Sequence, residues 1–158
     1  MTHINKGKPF PLGSSLTSQG VNFSLIATNA EYVEILLFEK EDSIFPKTIL
    51  KLDQSHNTGP YWHVEIKNLN VGCIYAFRIK QKNNEINNNY EKKVLLDPCA
   101  RGITGWGSYE RKNALKTQEN TNSCLKSVVC DRKLFNFKDY PRPKHSWEET
   151  IIYELHIK

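Results

Sequence analysis

At 158 residues and 18.3 kDa the chain is long enough for one ordinary domain, and a complete (β/α)₈ barrel, which needs about 250 residues, is excluded by length. Apolar residues make up 39% and charged residues 25%, which is compatible with a packed core. The net charge of +5 is unevenly placed, +1 over residues 1–98 and +4 over 99–158, yet no block of like charges of the kind that forms a nucleic-acid arm occurs.

The first half reads as short strands separated by turn chemistry. Val21, Phe23 and Leu25 alternate with Asn22 and Ser24, the period of two that marks a half-buried strand. Val33, Ile35 and Leu37 repeat the pattern, then Thr48, Leu50 and Leu52, then Trp62, Val64 and Ile66, then Tyr75, Phe77 and Ile79. The connectors between them are rich in Gly, Asn, Asp, Ser and Pro. Regular short strands without intervening amphipathic helices predict an all-β, immunoglobulin-like (early-set) antiparallel β-sandwich over residues 1–98. Asn83 to Asn89 reads as a polar loop tip and Lys92 to Leu96 as a closing strand. From 99 to 146 the texture changes to an irregular linker: Gly102, Gly105 and Gly107 interrupt it, and the prolines of Tyr140-Pro141-Arg142-Pro143 disfavour helix. The chain then runs into Thr150 to Lys158, a strand-forming segment with apolar groups on both faces, as in a strand buried on two sides. No earlier segment is placed to cover it, so it reads as an orphan strand, either the start of further chain or a partner for the sandwich or for a second chain.

No stretch approaches the ~18 uncharged apolar residues of a membrane helix. Met1 to Lys8 lack the apolar core of a signal peptide, so the sequence reads as cytoplasmic. Cys73, Cys99, Cys124 and Cys130 form no C-x-x-C pair and no histidine pair stands at zinc-finger spacing; free thiols, no metal and no cofactor are expected.

Several segments, in order and spanning nearly the whole chain, are similar to one family. Gly7-Lys8-Pro9-Phe10-Pro11-Leu12-Gly13 followed by Gly20-Val21-Asn22-Phe23 resembles the opening of bacterial glycogen debranching enzymes and isoamylases. Thr58-Gly59-Pro60-Tyr61-Trp62-His63-Val64 and Gly72-Cys73-Ile74-Tyr75-Ala76-Phe77-Arg78 resemble their next two segments. Leu95-Leu96-Asp97-Pro98-Cys99-Ala100 follows the pattern L-L-D-P-Y-A, with Cys99 where the family has tyrosine. Trp147 to Lys158 resembles the motif that begins the first barrel strand of the family's catalytic domain. The resemblance implies a carbohydrate-binding module of family 48, then a linker, then the start of a glycoside hydrolase family 13 barrel from residue 147. The family's catalytic aspartate and glutamate lie beyond these segments and have no counterpart here. The expected function is that of a non-catalytic N-terminal module of an α-1,6-glucan debranching hydrolase, whose partner is an α-glucan such as glycogen or the missing catalytic barrel.

Glucan recognition needs flat rings for the C–H faces of the sugar and polar groups for its hydroxyls. Tyr61, Trp62, Tyr90, Arg78 and His63 are the candidates. Trp62 shares the apolar phase of Val64 and Ile66, which argues for core burial instead. Arg78 and His63 stand on the opposite, outward phase and are the first and second choices for a polar sugar contact. The resemblance also implies that Trp106 and Tyr153 face the interface with the barrel. No acidic pair suits the carboxyl separation of about 5–5.5 Å that retaining hydrolysis requires, so no catalytic residue is assigned and the chain alone is expected to be inactive. Two other functions remain open. A single-strand nucleic-acid binder would need rings and cations interleaved along one groove, which the near-neutral first half argues against. A protein-interaction module would bind through a sheet edge.

Overall fold

The computed structural model describes residues 2–82, 92–134, 140 and 143–156. Ten strands are described: β1 (Ile4–Asn5), β2 (Gly13–Leu16), β3 (Gly20–Ile26), β4 (Ala30–Phe38), β5 (Thr48–Leu52), β6 (Asn57–Thr58), β7 (Tyr61–Lys67), β8 (Ile74–Gln81), β9 (Gly102–Thr104) and β10 (Lys126–Val128). They form two antiparallel sheets, β1-β7-β3-β2 with β6 on β7, and β5-β4-β8-β10-β9. Among the described residues one short α-helix, α1 (Arg111–Leu115), lies in the connection before β10.

The apolar phases seen in the sequence meet between the sheets. Val21, Phe23 and Leu25 face Trp62, Val64 and Ile66 along the β3–β7 register, and Val33, Ile35, Tyr75 and Phe77 close on them from the second sheet; all are buried. The ring of Phe23 meets that of Tyr75 edge-on at 4.8 Å across the gap between the layers, and Tyr75 meets its strand neighbour Phe77 at 5.8 Å.

The outer faces depart from a simple sandwich. In β3 the polar residues Asn22 and Ser24 are buried as deeply as their apolar neighbours. Residues 6–10 lie over them: Asn22 accepts from the Lys8 amide at 2.7 Å and donates to the Lys8 carbonyl at 3.0 Å, and Ser24 donates to the Pro9 carbonyl at 2.6 Å. The close approach depends on Gly7, whose φ is +75° and whose added Cβ would fall 2.6 Å from Asn22 Oδ1 and 2.6 Å from the Val64 carbonyl carbon. The second sheet is covered in the same way. Leu36, Phe38 and Ala76 on its outer face form a second cluster with Val94 and Cys124.

Residues expected as linker therefore belong in part to the sheet. β9 and β10 extend it beyond β8, and Ser127 is paired with Tyr75 in register and fully buried. Lys126 is buried too; its ammonium donates to the carbonyls of Glu41 at 2.8 Å and Thr121 at 3.3 Å and sits 5.0 Å from the Phe38 ring. The closing strand expected at Lys92–Leu96 is reduced to a single bridge between Phe77 and Leu95, because β10 occupies the start of the β8 edge and the Asn120 side chain binds both the amide and the carbonyl of Val94.

The expected terminal strand does not form among the described residues. A strand needs a neighbour for its backbone groups, and residues 151–156 have none; Ile151, Ile152, Tyr153 and Leu155 are exposed. Of Tyr140–Pro143, only Tyr140 and Pro143 lie within the described residues, and both are exposed.

Candidate functional site

The binding residues expected from the sequence are not brought together. Trp62 is 2% exposed and its indole N–H donates to the Ala27 carbonyl at 3.1 Å, so it is core and offers no face to a sugar. His63, expected to point outward to solvent, is 1% exposed. The reason is the cover over β3 and β7. The His63 Nδ1 lies 2.9 Å from the Lys6 carbonyl, which only accepts, so that nitrogen carries the proton; Nε2 lies 2.8 Å from the Thr58 hydroxyl. The imidazole is a rivet between the N-terminal segment and the sheet. Arg78 takes the outward phase but faces the cover of the second sheet: it is half-buried, opposite Glu34 on β4, near enough to Cys124 to act on its thiol, and its Nε is buried without a hydrogen-bond partner. Tyr90 and the tip Asn83 to Asn89 lie outside the described residues.

Tyr61 is the one candidate ring on the first sheet that reaches the surface. It is half-buried and its ring centroid lies 4.8 Å from that of Phe10, tilted by 56°. Phe10, which precedes a cis peptide to Pro11, is 58% exposed. Beside Phe10 runs a groove of about 480 Å³, bordered by Lys8, Pro11, Ser15, Leu16, Thr17, Ser18, Asn22 and Glu65. Hydrogen bonds from Thr17 and Asn5 hold the Glu65 carboxyl below the usual range, so it is an anion ready to accept. On the other flank of β2 a second groove, of about 540 Å³, shares Ser15, Thr17 and Ser18 and adds Arg101, Cys130 and Lys133. The sequence reading missed Phe10 and the β2 hydroxyls. An isolated apolar residue between the turn glycines Gly7 and Gly13 carries no periodic signal, and only the fold of residues 6–11 across the sheet brings it beside β2 and Glu65.

Trp106 is 65% exposed and packs edge-on against Tyr109 at 6.0 Å, and Tyr153 is 84% exposed. Ile44 and Phe45, between β4 and β5, and Ile49 on β5 are exposed as well. Beneath the surface, Tyr75 donates to Asp97 Oδ2 at 2.6 Å, the Cys99 amide donates to Oδ1 at 2.8 Å, and the Asp97 amide donates to Ser127 Oγ at 3.0 Å. Burial raises the Asp97 carboxyl against the lowering effect of these bonds, and burial followed by the Asp97 charge pushes the Tyr75 phenol up. The pair is enclosed and structural. Each of the grooves described above is bordered by at most one carboxylate, and among the described residues no group of His, Cys, Asp and Glu is placed to hold a metal. No helix among them is long and apolar enough to cross a membrane.

Residues 11–100 match the family described as carbohydrate-binding module 48 (isoamylase N-terminal domain). The whole chain aligns with glycogen debranching enzymes from Pectobacterium carotovorum subsp. carotovorum (29% identical over 169 residues) and Cronobacter sakazakii (30% over 168 residues), and spans 24% of each. Among solved structures, a mutant pullulanase from Paenibacillus barengoltzii complexed with maltotetraose superposes with a TM-score of 0.59 over 89% of this chain and 18% of its own, at 18% identity. The catalytic module of a multi-modular glycogen-degrading pneumococcal virulence factor does so with 0.55 over 80% of this chain and 17% of its own, at 17% identity. These likenesses establish the two-sheet fold.

Proposed function

Because the chain belongs to the carbohydrate-binding module 48 family, the isoamylase N-terminal domains, we propose that it is the non-catalytic N-terminal module of a glycogen debranching hydrolase acting on α-1,6 branches, and that it binds α-glucan weakly. The observation that carries this reading is the family match over residues 11–100 on a chain that aligns in full with a quarter of each debranching enzyme. Four free cysteines agree with a cytoplasmic setting, where glycogen is handled. Hydrolysis is assigned to the remainder of such an enzyme, because retaining chemistry needs two facing carboxyl groups about 5–5.5 Å apart, and the grooves around β2 present only single ones.

Migration in native gels with and without glycogen tests the binding half of the proposal, and release of reducing sugar from a branched glucan tests the other. Retardation without hydrolysis is expected; hydrolysis by the purified chain would refute the non-catalytic reading. A second role, docking on the catalytic barrel, is favoured by the exposed rings of Trp106 and Tyr153 and the exposed Ile151 and Ile152. Apolar surface of this kind marks an interaction site. It predicts that completing the barrel begun at residue 147 with the remainder of a debranching enzyme's catalytic domain shields Trp106 from quenchers.

A further inference from the structure

The geometry points to the groove between Phe10 and β2 as the site where this module holds an α-glucan chain, an assignment that rests on the glucan-binding reading and gives it an address. Three observations converge there. The Phe10 ring is 58% exposed although it is braced by Tyr61 at 4.8 Å, so a rigid apolar plate stands at the rim with its position already fixed. The groove beside it, about 480 Å³, falls within the range of 300–1,000 Å³ usual for small-ligand sites. Its polar border is made of hydroxyls and single charges: Ser15, Thr17, Ser18, Lys8 and Glu65.

Those groups match what a glucose polymer presents. Each sugar unit has an apolar C–H face, suited to an aromatic plate, and an edge of hydroxyls that both donate and accept. The Ser15 and Ser18 hydroxyls answer in both senses, the ionised Glu65, oriented by Thr17, accepts, and Lys8 donates. A nucleic-acid ligand fits less well, since the border of this groove carries one carboxylate beside one ammonium and so offers no net field for a polyanion. The groove on the far flank of β2 shares Ser15, Thr17 and Ser18, so a linear ligand has a continuous path across the strand toward Arg101. The outer face of the second sheet, where Arg78 lies, is covered by Val94 and Cys124, and the groove among those covering residues is smaller, about 210 Å³.

The test titrates the full chain with maltoheptaose, following amide shifts by NMR, and compares Phe10→Ala, Glu65→Gln and, as a control on the opposite sheet, Phe45→Ala. Shifts are expected to concentrate on Ser15 to Ser18. Loss of an aromatic contact of this class weakens binding roughly three- to tenfold, so Phe10→Ala is expected to fall in that range, with Glu65→Gln weaker as well and Phe45→Ala unchanged. If wild-type protein binds but its shifts lie elsewhere and Phe10→Ala and Glu65→Gln bind normally, the assignment is overturned and the glucan-binding reading stands. If Phe10→Ala loses its native spectrum, the wild-type shift map and Glu65→Gln decide the matter. If wild-type protein shows no binding to maltoheptaose or glycogen, the reading itself fails and this assignment with it.

Discussion

The hydrogen bond between Tyr75 and Asp97 joins the central strand of the second sheet to the segment that leads into β9 and β10, and removing it has a calculable effect. Both groups are enclosed, Tyr75 at 0% and Asp97 at 2% exposure, and the bond is short at 2.6 Å. A hydrogen bond to a charged partner contributes about 1.5–3 kcal/mol, against about 0.5–1.5 kcal/mol for a neutral one. Tyr75→Phe keeps the ring contacts with Phe23 and Phe77 and deletes only the donor. For a chain of this size each kcal/mol lowers Tm by about 2–4 °C, so the variant is expected to melt roughly 3 to 12 °C lower at pH 7. The pH dependence follows from the direction of the Asp97 shift. Burial raises its carboxyl above the ordinary 3.8, and Tyr75 opposes that rise. A group whose pKa is raised on folding gives stability that is fully present below its unfolded value and is lost as pH climbs through the folded one. Without the phenol the rise is larger, so more stability is lost by neutral pH. The deficit of Tyr75→Phe must therefore be greater at pH 7 than at pH 3.5, where the carboxyl is largely protonated. Urea unfolding of both proteins, followed by the fluorescence of buried Trp62, measures it. An equal deficit at both pH values, or none at either, would refute the argument. Asp97→Asn retains the side-chain volume and removes the charge, and its cost is expected to vary less with pH.

Gly7→Ala should destabilise by about 1–3 kcal/mol, the usual cost of overpacking, because the added methyl meets backbone atoms of Val64 and Glu65 at 2.6–2.7 Å; the denaturant midpoint reports it, and a neutral result would mean that residues 6–10 lift off the sheet freely. Hydrogen bonds from Ser55, then from His56, lower the Asp53 carboxyl to about 2, so its small contribution is present above the ordinary carboxylate range and lost as pH falls through about 2. Carboxyl NMR should place its midpoint there, and Ser55→Ala should move it up toward 3.8. Burial pushes the thiols of Cys73 and Cys124 up, whereas Cys99 is exposed; a thiol reagent should label Cys99 in the native protein and reach Cys124 only on unfolding, and Cys99→Ser should remove the fast phase.

The strands of the sandwich were legible because alternation is a direct imprint of a two-faced sheet. Val21, Phe23 and Leu25 could only be buried together, and they are, against Trp62, Val64 and Ile66. What alternation does not encode is whether the other face meets water. Asn22, Ser24 and His63 have the residue types of a solvated face, yet each hydrogen-bonds the backbone of residues 6–9. A polar side chain whose partner is a carbonyl from a distant segment looks, in sequence, the same as one whose partner is water. β10 was hidden for a related reason. Its three residues Lys126, Ser127 and Val128 show no apolar alternation, and Lys126 is buried only because two carbonyls and the Phe38 ring receive its ammonium.

The same covers decide where a ligand can be held. Segment 6–10 seals the middle of the first sheet, and residues 94 and 124 seal the middle of the second. A sandwich sealed on both faces has little but its margins left for recognition, and its margins differ in chemistry. One, at Trp106 and Tyr109, is aromatic and suits a protein surface. The other, along β2, combines one braced ring with hydroxyls and opposite single charges and suits a neutral polyhydroxylated chain. If both margins are used, glucan and barrel bind without competing, and saturating maltoheptaose leaves the protection of Trp106 by the barrel unchanged. Displacement of one by the other would place both on the same margin and break this division of surfaces.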